Sequence, residues 1–162
     1  MARYLIILLF VSFIGCEING EQFIKPEKFK YDEVKFNAVT KKLKFEEFNI
    51  SKNDKKITQI IEYWFDNKIK TDGFDGDLNV TVKKIDIERI KEDKYYKFTL
   101  DLIIQFKVQS DNDLKRVKIH SVGSKEFGEI TGSFSINDQE NLDLNLMHQS
   151  LKNISKKLLQ II

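Results

Sequence analysis

The stretch YKFTLDLIIQFKV, Tyr96 to Val108, decides how the rest of the chain is read. Tyr96, Phe98, Leu100, Leu102, Ile104, Phe106 and Val108 occupy every second position, while Lys97, Thr99, Asp101, Gln105 and Lys107 fall between them. Successive side chains of a strand point to opposite faces, so this period of two describes one long strand with a buried face and a wet one. Strands buried on both faces, as in parallel sheets, read as continuous apolar runs. The alternation therefore predicts an antiparallel sheet covered on one side only.

Working outward, Leu78, Val80 and Val82 alternate upstream, and Ile85 and Ile87 continue one residue out of phase after Lys83-Lys84. A one-residue slip within a strand is the mark of a β-bulge. Lys91 to Asp93 is a charged turn between this strand and the central one. Downstream, Ser110-Asp111-Asn112-Asp113 is a turn and Val117, Ile119 and Ser121 a further strand; Gly123 to Gly132 reads as irregular, with Phe127 and Ile130 as plugs. Val34, Phe36 and Ala38, then Leu43, Phe45 and Ile50 after a change of phase, predict a first strand or strand pair.

Two segments carry the helical period instead. Ser51 and Asn53 offer cap groups and Asp54 a first-turn charge. Ile57, Ile60, Ile61, Trp64, Phe65 and Ile69 then form one apolar face, which Asp72-Gly73 is expected to end. At the C-terminal end Leu144, Met147, Leu151, Ile154, Leu158 and Ile161 form a second stripe. Asn137 and Glu140 are its expected cap pair, and Lys152, Lys156 and Lys157 crowd its far end. The expected fold is α+β, in the order β-α-β-β-β-α. It has a mainly antiparallel sheet and both helices packed on one face.

The first residues differ in kind. Arg3 precedes the apolar run Tyr4 to Phe13, which is about half the length of a bilayer span and has the flanks of a secretory h-region. Phe13-Ile14-Gly15-Cys16 follows and resembles the lipobox of bacterial lipoproteins, in which a small residue precedes a lipidated cysteine; Phe13 stands where Leu is usual. The resemblance implies cleavage before Cys16 and acylation of that residue, the only cysteine in the chain. More than one acyl chain is needed for a stable hold on a membrane. The alternative is an ordinary signal peptide, with Asn49, Asn79 and Asn153 as glycan acceptors. It leaves one unpaired thiol in an oxidising compartment. The expected organisation is a signal peptide over 1–15, lipidated Cys16 and a flexible tether over 16–33, and one α+β domain over 34–162. In Gram-negative sorting Asp after the cysteine marks inner-membrane retention, so Glu17 favours the outer membrane.

Composition excludes several classes. The 27 basic and 25 acidic residues nearly cancel and are interleaved, which is a solvated surface and not a stripe that tracks phosphates. No nucleic-acid partner is expected. The run DGFDGD, Asp72 to Asp77, fails the EF-hand spacing, with Phe74 at loop position 3 and Lys83 at position 12. It reads as a helix stop and turn, with Gly73 and Gly76 at positive φ. His120 and His148 have no ligand at metal spacing and are expected at a surface or edge, His120 in the polar phase of its strand. No hydrolase triad and no phosphate loop is present, so no enzyme, cofactor or metal is expected. Trp64 is expected to pack, with its indole N–H bonded at the sheet edge, and is also a candidate interface residue.

The segment Trp64-x3-Lys68-Ile69-x3-Gly73-x2-Gly76, leading into a strand, is similar to a pattern in uncharacterised small lipoproteins of alphaproteobacteria. Architecture alone also resembles YajG-type lipoproteins and lipopolysaccharide-assembly lipoproteins of the LptE type. Neither resemblance carries catalytic residues. The Cys16 anchor, the long tether, one compact domain and the lack of a catalytic set lead to the expectation of a non-enzymatic outer-membrane lipoprotein that faces the periplasm and assists envelope assembly or transport. Its partners would be the membrane, through the lipid, and another envelope protein. A lipid- or glycan-binding module with a pocket between helices and sheet is the alternative.

Overall fold

The computed structural model describes residues 29–46, 54–110 and 116–162. Eight elements follow in order: β1 (Val34–Phe36), β2 (Thr40–Phe45), α1 (Asp54–Lys68), β3 (Ile69–Thr71), β4 (Asp77–Lys91), β5 (Tyr95–Gln109), β6 (Val117–Thr131) and α2 (Ile136–Ile161). Four strands form one sheet in the order β2-β4-β5-β6, and β1 pairs with β3 in a small second sheet. The contacts β4–β5 and β5–β6 are antiparallel. Strand β2 runs parallel to β4, which requires a crossover, and α1 lies in that crossover. The class is α+β with a mostly antiparallel sheet, as the alternation in β5 requires.

The even-numbered residues of β5 face the helices. Phe98, Leu100, Leu102, Ile104 and Phe106 are buried there, together with Leu78, Val80 and Val82 of β4 and Leu144, Met147, Leu151, Ile154 and Leu158 of α2. The phase slip in β4 is a register shift between Val82 and Lys84. It keeps Ile85 and Ile87 on the helix side, opposite Leu102 and Leu100. The other face carries Lys42, Lys44, Lys84, Asp86, Lys97, Asp101, Lys107 and Lys125 and stays open to water. Lys84 bridges Asp101 at 2.8 Å and Asp86 at 3.4 Å across it.

Four local expectations are corrected. Helix α1 stops at Lys68, and Ile69 opens β3 beside Val34 instead of ending the helical stripe. The stop is made by Lys41, whose Nζ donates to the carbonyls of Phe65 (2.8 Å), Asp66 (3.0 Å) and Ile69 (2.7 Å). These are carbonyls that a helix end leaves without partners. Residues 123–131 are not irregular but the second half of β6, paired to β5 from Gly123↔Ile103 to Thr131↔Tyr95. Their inward positions are Ser124, Glu126, Gly128 and Ile130, so no apolar period marks them. Glu126 is satisfied by α2, with Asn153 Nδ2 donating to it at 2.8 Å, Ser124 Oγ donates to the same carboxylate, and Leu142 of α2 lies over Gly128. The cap of α2 is Ser135 with Asp138, not Asn137 with Glu140, and each residue's side chain accepts from the other's backbone N–H. Ile161, placed in the buried stripe, is exposed.

In the turn before β4 the two glycines act differently. Gly76 has φ +86°, the left-handed region that glycine favours. Gly73 has no positive φ; it is needed for space, since a Cβ there would lie 2.1 Å from Asn37 Oδ1 and 2.5 Å from the Ala38 nitrogen. Backbone cannot move aside cheaply. Gly73→Ala is expected to cost about 1–3 kcal/mol, the usual range for overpacking, and to lower the urea midpoint accordingly. An unchanged midpoint would show that the turn yields.

Candidate functional site

The N-terminal segment that leads into the domain is fastened to α2. Tyr31 and Phe29 lie within the stretch read as flexible tether, yet Tyr31 is buried and Phe29 packs on the core. Their shared contact is His148. The Phe29 ring stacks on the imidazole with centroids 3.5 Å apart and planes 10° from parallel. The Tyr31 hydroxyl bonds to Nδ1. A phenol is the better proton donor, so the hydroxyl donates and the ring proton sits on Nε2, which has no partner among the described residues.

This corrects the expectation for His148, which is 1% exposed and not on the surface. The sequence places it beside Met147, off the apolar stripe. What buries it is a second layer, the returning N-terminal segment, on a helix face that would otherwise meet water. Burial disfavours the charged imidazole and holds its pKa down to about 4, and burial also pushes the Tyr31 hydroxyl up. Lys30, Gln149 and Lys152 join these three residues around a partly open pocket of about 400 Å³. The arrangement can do one thing chemically: hold the segment in place while His148 is neutral.

The other candidates fall elsewhere. Cys16 lies outside the described residues. Trp64, the candidate interface residue, is 0% exposed, which leaves it nothing to present to a partner. Its indole Nε1 donates to Ser155 Oγ of α2 at 2.9 Å, not to a group at the sheet edge, and its ring meets Phe106 edge-on. His120 sits on edge strand β6 opposite Phe106, so it is half-buried on the helix side of the sheet and not in the polar phase. In the 72–77 turn, Asp75 accepts from the Ser110 hydroxyl and Asp77 from that of Thr40. Those carboxylates tie the turn to neighbouring elements, and Phe74 just before them is fully exposed. Among the described residues no three metal-ligating side chains cluster.

Sequence reasoning missed the Phe29–Tyr31–His148 contact and the Lys41 helix stop. The only signal for the first was two aromatic residues in a polar stretch. For the second there was none, since Lys41 is one lysine among many.

No protein-family model and no curated protein matches the chain. Solved structures resemble it at low identity. A minor lipoprotein from Acinetobacter baumannii shares 14% identity at a TM-score of 0.39, covering 75% of this chain and 89% of its own. The rare lipoprotein B from Shewanella oneidensis shares 12% at 0.41, covering 75% and 92%. Protein XCC0632 from Xanthomonas campestris shares 11% at 0.40, covering 80% and 84%. These are distant likenesses of chain path, and no activity, partner or location follows from them.

Proposed function

We propose that this chain is a non-enzymatic, lipid-anchored protein of the cell envelope, held at the outer membrane and facing the periplasm. Its domain docks on another envelope component and assists assembly or transport. The observation that carries the docking role is the one-sided sheet. Helices cover one face of β4, β5 and β6, each 15 residues long, and no described element covers the other. The anchor rests on Gly15-Cys16 at the end of the apolar run. Among the described residues Phe29, 13 residues beyond Cys16, is the first that packs on the core, which limits the reach of the domain to roughly 45 Å of extended chain. The rival ligand-binding reading needs a pocket between helices and sheet. That layer is occupied by Trp64, Phe36, Phe98 and Phe106, each no more than 2% exposed, which favours docking.

In-cell cross-linking and affinity purification of the native protein beside Cys16→Ser tests both halves. The native form is expected in the membrane fraction with a stoichiometric envelope protein, and Cys16→Ser in the soluble fraction with that partner reduced at least tenfold. Identical fractionation of the two forms refutes the anchor. Recovery of the native protein alone refutes the docking role.

A further inference from the structure

Among the described residues strand β6 is an edge of the four-stranded sheet, paired on one side only, to β5. On a strand, the N–H and C=O of one residue point to the same side and alternate from residue to residue. Lys157 of α2 donates to the Gly123 carbonyl at 2.6 Å, so the main-chain groups of Gly123 point away from β5. Those of Lys125, Phe127, Glu129 and Thr131 point the same way. Among the described residues no side chain caps them. The same four side chains lie on the open face, and Phe127 among them is 58% exposed, with Lys97 and Lys125 ammonium groups 5.6 and 5.7 Å from its ring.

Natural proteins blunt such an edge with charges. Here the charges alternate in sign about an aromatic residue, Lys125-x-Phe127-x-Glu129, and that pattern complements itself. We propose that the free edge of β6 pairs antiparallel with β6 of a second copy, on a two-fold axis through Phe127. In that register Phe127 meets its own copy, and each Lys125 faces Glu129 of the other strand. Glu129 already lies opposite Lys97 of β5, so in the dimer it sits between two cations. Opposite charges across strands stabilise a pair, and like charges directly opposite destabilise it. Moving the axis to Lys125 sets lysine against lysine, and moving it to Glu129 sets glutamate against glutamate. A parallel pairing in register does both. Charge therefore selects one register, and the two four-stranded sheets join into one of eight strands.

The test uses the purified full chain in detergent, carrying Phe127→Cys and oxidised with copper phenanthroline. Opposed residues in a hydrogen-bonded antiparallel pair have Cα atoms about 5.5 Å apart, within disulfide range. Most of the chain is expected as a disulfide-linked dimer, against none for the parent chain, which controls for Cys16. Ile119→Cys, on the same strand and face, has no opposed copy in this register and should stay monomeric. Adding Lys125→Glu to Phe127→Cys should lower the dimer at least tenfold, and adding Glu129→Lys as well should restore it. All four altered positions are exposed on the strand edge, so their replacement leaves the core intact. A monomeric Phe127→Cys, equal cross-linking by Ile119→Cys, or no rescue by the double exchange overturns the proposal.

Discussion

Trp64→Ala is expected to destabilise the domain by about 3–5 kcal/mol, the range for truncating a buried aromatic residue to alanine. Natural domains are stable by only about 5–15 kcal/mol, so the loss is a large fraction of the total. The position earns this size by what it joins. Trp64 stands on α1, its ring edge meets Phe106 of β5 at 6.4 Å, and Phe106 in turn stacks on Phe36 of β1 at 5.5 Å. Its indole N–H reaches Ser155, whose own hydroxyl donates to Leu151 one turn earlier on α2 at 2.9 Å. One side chain thus links two helices and two strands. Trp64→Phe keeps most of the packing and loses the indole hydrogen bond, so a smaller cost of about 1–2 kcal/mol is expected. Urea unfolding followed by far-UV circular dichroism measures both, since the chain has no other tryptophan to report by fluorescence. A loss below about 1 kcal/mol for the alanine variant, set against that cited range, would show that the core closes around the gap.

Acid is expected to loosen the same domain through His148. Its pKa falls from the ordinary value of 6.5 to about 4 on folding. Between these two values the unfolded chain binds a proton at this residue and the folded chain does not. Stability from neutral burial is therefore fully present above pH 6.5 and is lost as pH falls toward 4. At 1.36 kcal/mol per unit the loss is on the order of 3 kcal/mol. Lys30 and Lys152 border the site and add no countercharge that would favour the imidazolium. Carboxylates also titrate near the lower end, so the comparison is with His148→Gln, whose amide oxygen still accepts from Tyr31 and does not titrate. Urea midpoints of the native chain should fall more steeply than those of His148→Gln between pH 6.5 and 4.5. Parallel curves would mean that the imidazole charges without disturbing the fold.

These two residues also show what was legible. Trp64 lies on a helical stripe with Ile57, Ile60, Ile61 and Phe65, so its burial could be read from spacing. Its partner could not, because Ser155 is 91 positions away and serine carries no mark of what it will accept from. His148 lies off its stripe, and the period of α2 placed it in water. The Tyr31 contact that buries it spans 117 positions.

The sequence by itself determined the strands β4 and β5, the bulge between Val82 and Lys84, the existence of both helices and the α+β class. In each case the element is buried on one face of its own, and a face is written in the local period. Tertiary structure alone decided the second half of β6, the end of α1 at Lys68 under the Lys41 ammonium, the burial of His148 and the seat of the N-terminal segment. Each of these depends on a polar group being satisfied, or a helix face being covered, by residues brought in from a distant part of the chain. Such contacts leave no period behind, because the residues that make them are chosen for one partner and not for a face.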